Sequence, residues 1–584
     1  MMRRFRKIAG LMLALVMAVA MSVTALAYTI TIDNSTSGHT YEAYQIFTGD
    51  LTGNGTASDP YVLANIEWGS GVDITSIVDG KTLLEALKEL TVSGTTPFAS
   101  CTDAASVAEV LGSDSNNTKD SAVAQAFADI VSKYLTTTAT DIATSIYNTS
   151  NYTISGLAAG YYLVKDKDNS LDGTDDAYTR YILEVVSDVT ATPKSSISTV
   201  EKEVQEDSTG AWQDYADYSI GDSIPYKLTA TLPSTLADYS TYQLIFTDTL
   251  SAGLTLDTAT TGTIAASDVT VTVYPNASSS SGTEVGGGYT VSLVNVSGIS
   301  DPDAPYYGGK VLTLTINDVK SLTDTSGDPI SVTSSSVIVV TYSATLNNSA
   351  VFGNDGNANE VYLTYSNNPN GSGTGKTTTK EAVVFTFELD VTKVDGDSYD
   401  TGSGSYTTML EDAEFVLYYL DASSEKHYVI VDSSGNVTGW TTYKTSAEGT
   451  PYASTLQSDQ DGNFSITGLD AGTYYLEETK APDGYNLLSN PVKIVITATY
   501  EDRDNDGVDE VSSLTVSVDD GQAAESTDAD KSSVDVTIVN NAGTSMPSTG
   551  GIGTTIFYVI GTILVLLAAV LLITRSRMRK SGEQ

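Results

Sequence analysis

A single cysteine, Cys101, stands in 584 residues. An intrachain disulfide is therefore excluded, even in a compartment that would permit one, and any domain that bears load needs another staple. Histidine is almost as scarce, with only His39 and His427. The chain shows no Cys/His or Ser/His constellation and no recognisable paired-carboxylate geometry, which argues against a secreted hydrolase such as a glycosidase. His39 reads as a turn or packing residue, and no metal centre or cofactor is implied. Positive charge is the third shortage: 29 Lys and Arg face 73 Asp and Glu, a net charge of −44. Eight of those basic residues are confined to the two termini. The rest of the surface repels nucleic acid and anionic lipid and favours solubility outside the cell.

What is present begins with the ends. Arg3, Arg4, Arg6 and Lys7 precede an apolar run from Ile8 to Val23, and Ala25-Leu26-Ala27 supplies a small-residue cleavage site. Residues 1–27 read as a secretory signal peptide, so the mature chain starts at Tyr28. At the other end, an uncharged run from Ile556 to Ile573 is long enough to span a bilayer core. Arg575, Arg577, Arg579 and Lys580 follow it, placing that side in the cytoplasm and everything before it outside.

The length calls for about three domains between these ends. Residues 28–196 alternate as strands at Tyr28–Asp33, Tyr41–Phe47, Tyr152–Ile154, Tyr161–Val164 and Tyr181–Val186. Between about Lys81 and Leu135 the period turns helical. Val123, Phe127, Ile130, Val131 and Tyr134 form one stripe there, with Thr118 placed to cap it. The domain is expected to be a β-sandwich with a helical insertion. Residues 197–381 place polar groups on apolar strand faces: Lys202 between Val200 and Val204, Asp248 among Leu244, Phe246 and Leu250, and Asn359 with Val361, Leu363 and Tyr365. A desolvated lysine becomes a neutral nucleophile and a desolvated acid stays protonated, so such a trio can join lysine to asparagine with loss of ammonia. Parity alone favours three unrelated boundary residues over a reacting trio, and Asn357 and Asn367 share the parity of Asn359. In residues 382–545, Phe385, Phe387, Leu389, Val391 and Lys393 lie on one face, Glu478 shares parity with Tyr474 and Leu476, and Val534, Val536 and Ile538 lead to Asn540. Asp502, Asp504 and Asp506 open like a calcium loop but have Ser513 where the last acidic ligand belongs, so a solvated acidic turn is the better reading.

Several stretches resemble a known family. Met546-Pro547-Ser548-Thr549-Gly550, ahead of the span, resembles the Leu-Pro-x-Thr-Gly sorting signal of Gram-positive surface proteins, with Met546 at the usual leucine. Val189, Pro193 and Lys194 match part of the pilin motif Trp-x-x-x-Val-x-Val-Tyr-Pro-Lys, although Val185, Ala191 and Thr192 depart from it. Tyr474-Tyr-Leu476-Glu-Glu478-Thr479-Lys-Ala481-Pro482-Asp-Gly484-Tyr485 resembles the signature of collagen-adhesin (Cna) B-type domains. Together the chain resembles the Spa-type backbone (major) pilins that sortases assemble.

The resemblance implies a mainly β chain of tandem immunoglobulin-like or Cna-type sandwiches and a C-terminal transmembrane sorting helix within residues 546–584. It implies that sortase cuts after Thr549, discards Gly550–Gln584, and joins Thr549 to Lys194 of an identical subunit. The product would be anchored to peptidoglycan at the cell surface, with minor pilins and host ligands as further partners. It also implies internal isopeptide bonds, Lys393 to Asn540 assisted by Glu478 and Lys202 to Asn359 assisted by Asp248. None is expected in the first domain, whose opening strand has no lysine. A monomeric wall-anchored adhesin, using the same domains as a stalk, is the alternative.

Overall fold

The computed structural model describes residues 27–113, 121–193, 195–258, 263–446, 450–502, 509–519, 524–526, 532–543 and 552–580. Strands dominate it, as the alternating patterns require. Its contacts define two compact units: one through Thr386 with Gly468–Asp470 and Thr499–Ser512, the other Phe387–Thr467, Ala471–Ala498 and the chain from Ser513. The regions expected as first and second domains thus fall within one unit.

The first region packs a four-stranded sheet, ordered Ile146–Tyr147, Tyr152–Leu157, Tyr28–Ile32, Val189–Ala191, over a second sheet ordered Val62–Trp68, Tyr41–Thr52, Gly160–Asp166, Arg180–Val185. Ile30, Ile32, Tyr41, Tyr152, Ile154, Tyr162 and Val164 fill one buried cluster. Phe47, Leu83, Leu87, Phe98, Cys101, Val107, Phe127 and Val131 fill another, which carries the helical insertion. That insertion is three short helices, Leu83–Glu89, Ala104–Leu111 and Ala122–Val131, and the last carries Val123, Phe127, Ile130 and Val131 of the expected stripe. The last is capped by Ser121, whose hydroxyl accepts from the Ala124 amide, while Thr118 lies outside the described residues. Tyr134, expected on the same stripe, follows in a separate turn and anchors its hydroxyl on the Lys81 carbonyl at 2.8 Å.

The second region is a sandwich of two large sheets. One runs Trp212–Gln213, Val200–Gln205, Ser223–Thr231, Val337–Leu346, Thr270–Tyr274, Thr283–Gly287 and Thr323–Asp324. The other runs Tyr215–Asp217, Lys380–Phe385, Asn357–Ser366, Leu244–Leu250, Lys310–Ile316 and Tyr289–Asn295. The strand read as one face from Phe385 to Lys393 is in fact two. Lys380–Phe385 completes the second sheet, and Phe387–Asp395 opens the next sandwich after Thr386. Equal side-chain parity across the break hid it.

The third region has a three-stranded sheet, Asn463–Leu469, Phe387–Asp395, Ser533–Asn540, in which the first and last strands of the sandwich pair in parallel. Facing it is a larger sheet ordered Val437–Thr441, Lys426–Val431, Glu414–Leu420, Thr473–Lys480, Val492–Glu501, Glu510–Val518 and Ala524–Glu525. The helix Ile552–Lys580 ends the described chain, and Phe557–Arg575 within it, at mean hydropathy 2.7, is long and apolar enough to cross a membrane.

Candidate functional site: two buried lysine, acid and asparagine clusters

In the third region the strand Phe387–Asp395 turns Phe387, Leu389, Val391 and Lys393 inward, so alternation alone drives a lysine into the core. Its backbone is held on both sides: the Lys393 amide donates to the Gly462 carbonyl at 2.7 Å, and its carbonyl accepts from the Leu410 amide at 2.9 Å. Gly462 lies at φ +79°, and a Cβ there would stand 2.7 Å from the Lys393 oxygen, so a side chain would push the lysine strand away. Ser533–Asn540 delivers Asn540 in the same way, after Val534, Val536 and Ile538. Glu478 arrives from the facing sheet, where it pairs across strands with Phe415.

The three side chains meet. Lys393 Nζ donates to Asn540 Oδ1 at 2.5 Å, and Asn540 Nδ2 donates to Glu478 Oε1 at 3.0 Å. Lys393 Nζ lies 3.5 Å from the same carboxylate oxygen, and Glu478 Oε2 accepts from the Leu488 amide at 2.8 Å. All three residues are buried, and the lysine is wholly so. Burial pulls the Lys393 ammonium down to about 8 against the opposing pull of Glu478, so the neutral amine is far more accessible near neutral pH than on an ordinary lysine. With a carbonyl bond of about 1.2 Å, the amide carbon lies within roughly 4 Å of the amine. The cluster thus holds a nucleophile at an amide whose nitrogen touches an acid.

The second region builds its cluster between sheets. Lys202 projects from Val200–Gln205, while Asp248 and Asn359 project from the paired strands Leu244–Leu250 and Asn357–Ser366 opposite, where Leu250 faces Asn359. Lys202 Nζ lies 2.6 Å from Asp248 Oδ2, both side chains wholly buried. Desolvation lowers the lysine and raises the aspartic acid, and both directions favour the neutral pair over the ion pair. The three asparagines of equal parity are separated by their partners. Asn357 donates to the Val351 and Val384 carbonyls, each at 3.0 Å, and Asn367 donates to those of Leu171 and Asp176. Asn359 alone of the three reaches the lysine cluster, through a residue not singled out in the sequence. Its Nδ2 donates to the Tyr342 hydroxyl at 2.7 Å. Tyr342 shares parity with Ile338, Val340 and Ala344 on Val337–Leu346, so its inward direction was readable, but its meeting with strands from the other sheet was not.

His39 is more than a packing residue. Its ring is stacked on Tyr41 and buried between Asp166, 2.7 Å from Nδ1, and Asp176, 2.8 Å from Nε2. Burial opposes its charge, but hydrogen bonds and charge from the two aspartates raise it to about 9. Ser195 donates to Asp176 Oδ1 at 2.7 Å. Its neighbour Lys194 lies outside the described residues, as do Met546, Pro547, Ser548, Thr549 and Gly550, residues 1–26 of the signal peptide, and Asp504 and Asp506 of the acidic turn. A further trio, Asp421, Glu425 and His427, brings its ligand atoms within 4.8 Å of one another at a hairpin end. Asp421 Oδ1 there already accepts from the Ser423 and Glu425 amides.

Residues 388–508, within the third region, match the family described as the SpaA prealbumin-like fold domain. The resemblance to Spa-type pilins read from the sequence is borne out there. Comparison with curated protein sequences gives no significant match. Among solved structures the chain is similar to the T6 backbone pilin of serotype M6 Streptococcus pyogenes, at 18% identity over 89% of this chain and 99% of that one, TM-score 0.44. It is also similar to the full-length major pilin SpaD of Corynebacterium diphtheriae, at 16% identity over 88% and 98%, TM-score 0.43. The major pilin subunit BcpA of Bacillus cereus aligns at 15% identity over 88% and 99%, TM-score 0.36.

Proposed function

We propose that this chain is the backbone subunit of a covalent surface fibre, a sortase-assembled pilin whose domains are hardened by internal isopeptide bonds. The observation that carries the reading is the contact of Lys393, Asn540 and Glu478, of which Lys393 and Glu478 lie within the residues that match the SpaA prealbumin-like fold domain. Attack of the neutral Lys393 amine on the Asn540 side-chain carbon, with Glu478 polarising the amide, yields an isopeptide and ammonia. Lys202 attacks Asn359 in the same way, with Asp248 as the acid. The first bond ties adjacent parallel strands at the two ends of one domain, and the second ties two sheets together. Pulling force then passes through covalent bonds in each domain and spares the hydrogen-bonded ladders.

Polymerisation uses two further points. Sortase cleaves after Thr549 and transfers it to Lys194 of the next subunit, while the helix containing Phe557–Arg575 retains the precursor in the membrane until cleavage. Joining two different points head to tail gives an open fibre, and the last subunit is transferred to peptidoglycan. The chain turns over no external substrate; its acids each act once.

An immunoblot of cell-wall extracts boiled in SDS tests the reading. A high-mass ladder that disappears with Lys194→Arg is expected; a single band in the wild type would make the chain a monomeric stalk adhesin. Intact mass tests the internal bonds: the soluble ectodomain should be lighter than its sequence by two ammonia molecules, and Lys393→Ala and Lys202→Ala should each restore one.

A further inference from the structure

The two clusters differ in how the acid reaches the amide. In the third region Glu478 accepts directly from the nitrogen that must leave as ammonia. In the second, Asp248 Oδ2 is paired with Lys202 Nζ, and Asp248 Oδ1 accepts from the Tyr342 hydroxyl at 3.0 Å. That hydroxyl also accepts from Asn359 Nδ2 at 2.7 Å and from Lys202 Nζ at 3.1 Å. One phenol oxygen therefore touches the acid, the nucleophile and the leaving nitrogen, which saturates its one donor and two acceptor positions. The ring is fixed by stacking on Tyr226 at 5.4 Å between centroids.

We propose that Tyr342 is a catalytic residue of isopeptide formation in the second region, relaying a proton from Asp248 to the departing nitrogen of Asn359. This rests on the reading of Lys202 and Asn359 as bond partners given above. The Lys202 lone pair forms the new bond to the Asn359 side-chain carbon, and the carbonyl electrons move onto Oδ1. Nδ2, now an amine, turns from donor to acceptor; the Tyr342 hydroxyl gives it a proton and takes one from Asp248. The carbonyl reforms, the carbon–nitrogen bond breaks, and ammonia leaves with the bonding electrons. Asp248 recovers a proton from Lys202 Nζ, so both Asp248 and Tyr342 end as they began. Burial holds the phenol well above its ordinary range, which suits a conduit that is never itself left ionised.

The test uses the full chain made by cell-free synthesis, sampled over time, with the two crosslinked peptides quantified separately by mass spectrometry. Tyr342→Phe keeps the stacked ring and removes only the hydroxyl. The Lys202–Asn359 bond should form about 100-fold more slowly, the ordinary worth of a positioned proton-transfer group. The Lys393–Asn540 bond, which among the described residues has no tyrosine hydroxyl bonded to its lysine, acid or amide, should form at the wild-type rate in the same molecules. Wild-type kinetics at Lys202–Asn359 in Tyr342→Phe would overturn the relay. Should that variant leave the second region protease-sensitive, a fluorinated tyrosine at 342 preserves shape and changes only the acidity of the hydroxyl. A shifted rate–pH profile then supports the relay, and an unchanged one overturns it. A wild-type chain that never yields the Lys202–Asn359 peptide overturns the bond assignment itself, and the relay with it.

Discussion

Replacing Glu478 by Gln tests the third-region chemistry with little loss of volume. The carboxylate accepts from Asn540 Nδ2 on one oxygen and from the Leu488 amide on the other. Glutamine keeps one acceptor, which the Leu488 amide can retain, but it has no proton to place on the leaving nitrogen. The domain should fold and remain unlinked, so the ectodomain should fall short of its own sequence mass by one ammonia instead of two. The missing crosslink closes a span of 147 positions. In the chain-entropy treatment used for disulfides, a loop of that size is worth about 5 kcal/mol. For a domain of this size each kcal/mol moves Tm by roughly 2–4 °C, so the unlinked domain should melt about 10–20 °C lower. Lys393→Ala should likewise fall short of its own sequence mass by one ammonia, with a further loss of stability from the cavity left by the lysine stem. Intact mass and scanning calorimetry of the ectodomain read both effects. If the Glu478→Gln protein still loses the ammonia in full, Glu478 is not the acid. If it is unlinked yet melts with the wild type, the entropic account of the bond is wrong.

Lys194→Arg should abolish the SDS-resistant ladder while monomer anchoring persists, because a guanidinium stays protonated and is a poor nucleophile toward a thioacyl enzyme; ladders that survive would mean that another lysine is the acceptor. His39 is raised from 6.5 to about 9 on folding, so its contribution is complete below about 6.5 and is lost as pH rises through about 9. Denaturant titrations of the ectodomain at pH 7 and pH 10 should show that loss, and His39→Gln should reduce the difference between the two. Cys101 is buried with its thiol pushed up by desolvation, so a maleimide should label it only after denaturation; labelling of the native protein at the rate of a free thiol would contradict its placement.

Much of this protein is local information, and local information is what a sequence states directly. Period-two alternation drives Lys393, Glu478, Asn540, Lys202, Asp248 and Asn359 into the core whatever the strands' neighbours turn out to be, since a strand's faces are set by its own backbone. The apolar run near the C-terminus is similarly self-evident, because a membrane span depends on length and hydropathy alone. Other features depend on which strands lie side by side. Parity left Asn357, Asn359 and Asn367 equivalent; only the packing of two sheets commits Asn357 to Val351 and Val384, Asn367 to Leu171 and Asp176, and Asn359 to the lysine cluster. Equal parity likewise ran Phe385 into Phe387, where the chain leaves one sheet and enters another. His39 looked unremarkable because Asp166 and Asp176 lie more than a hundred positions away. Tyr342 was one inward tyrosine among many until tertiary contact placed its hydroxyl against lysine, acid and amide together. Direction along a strand is a property of the chain; proximity across sheets is a property of the fold.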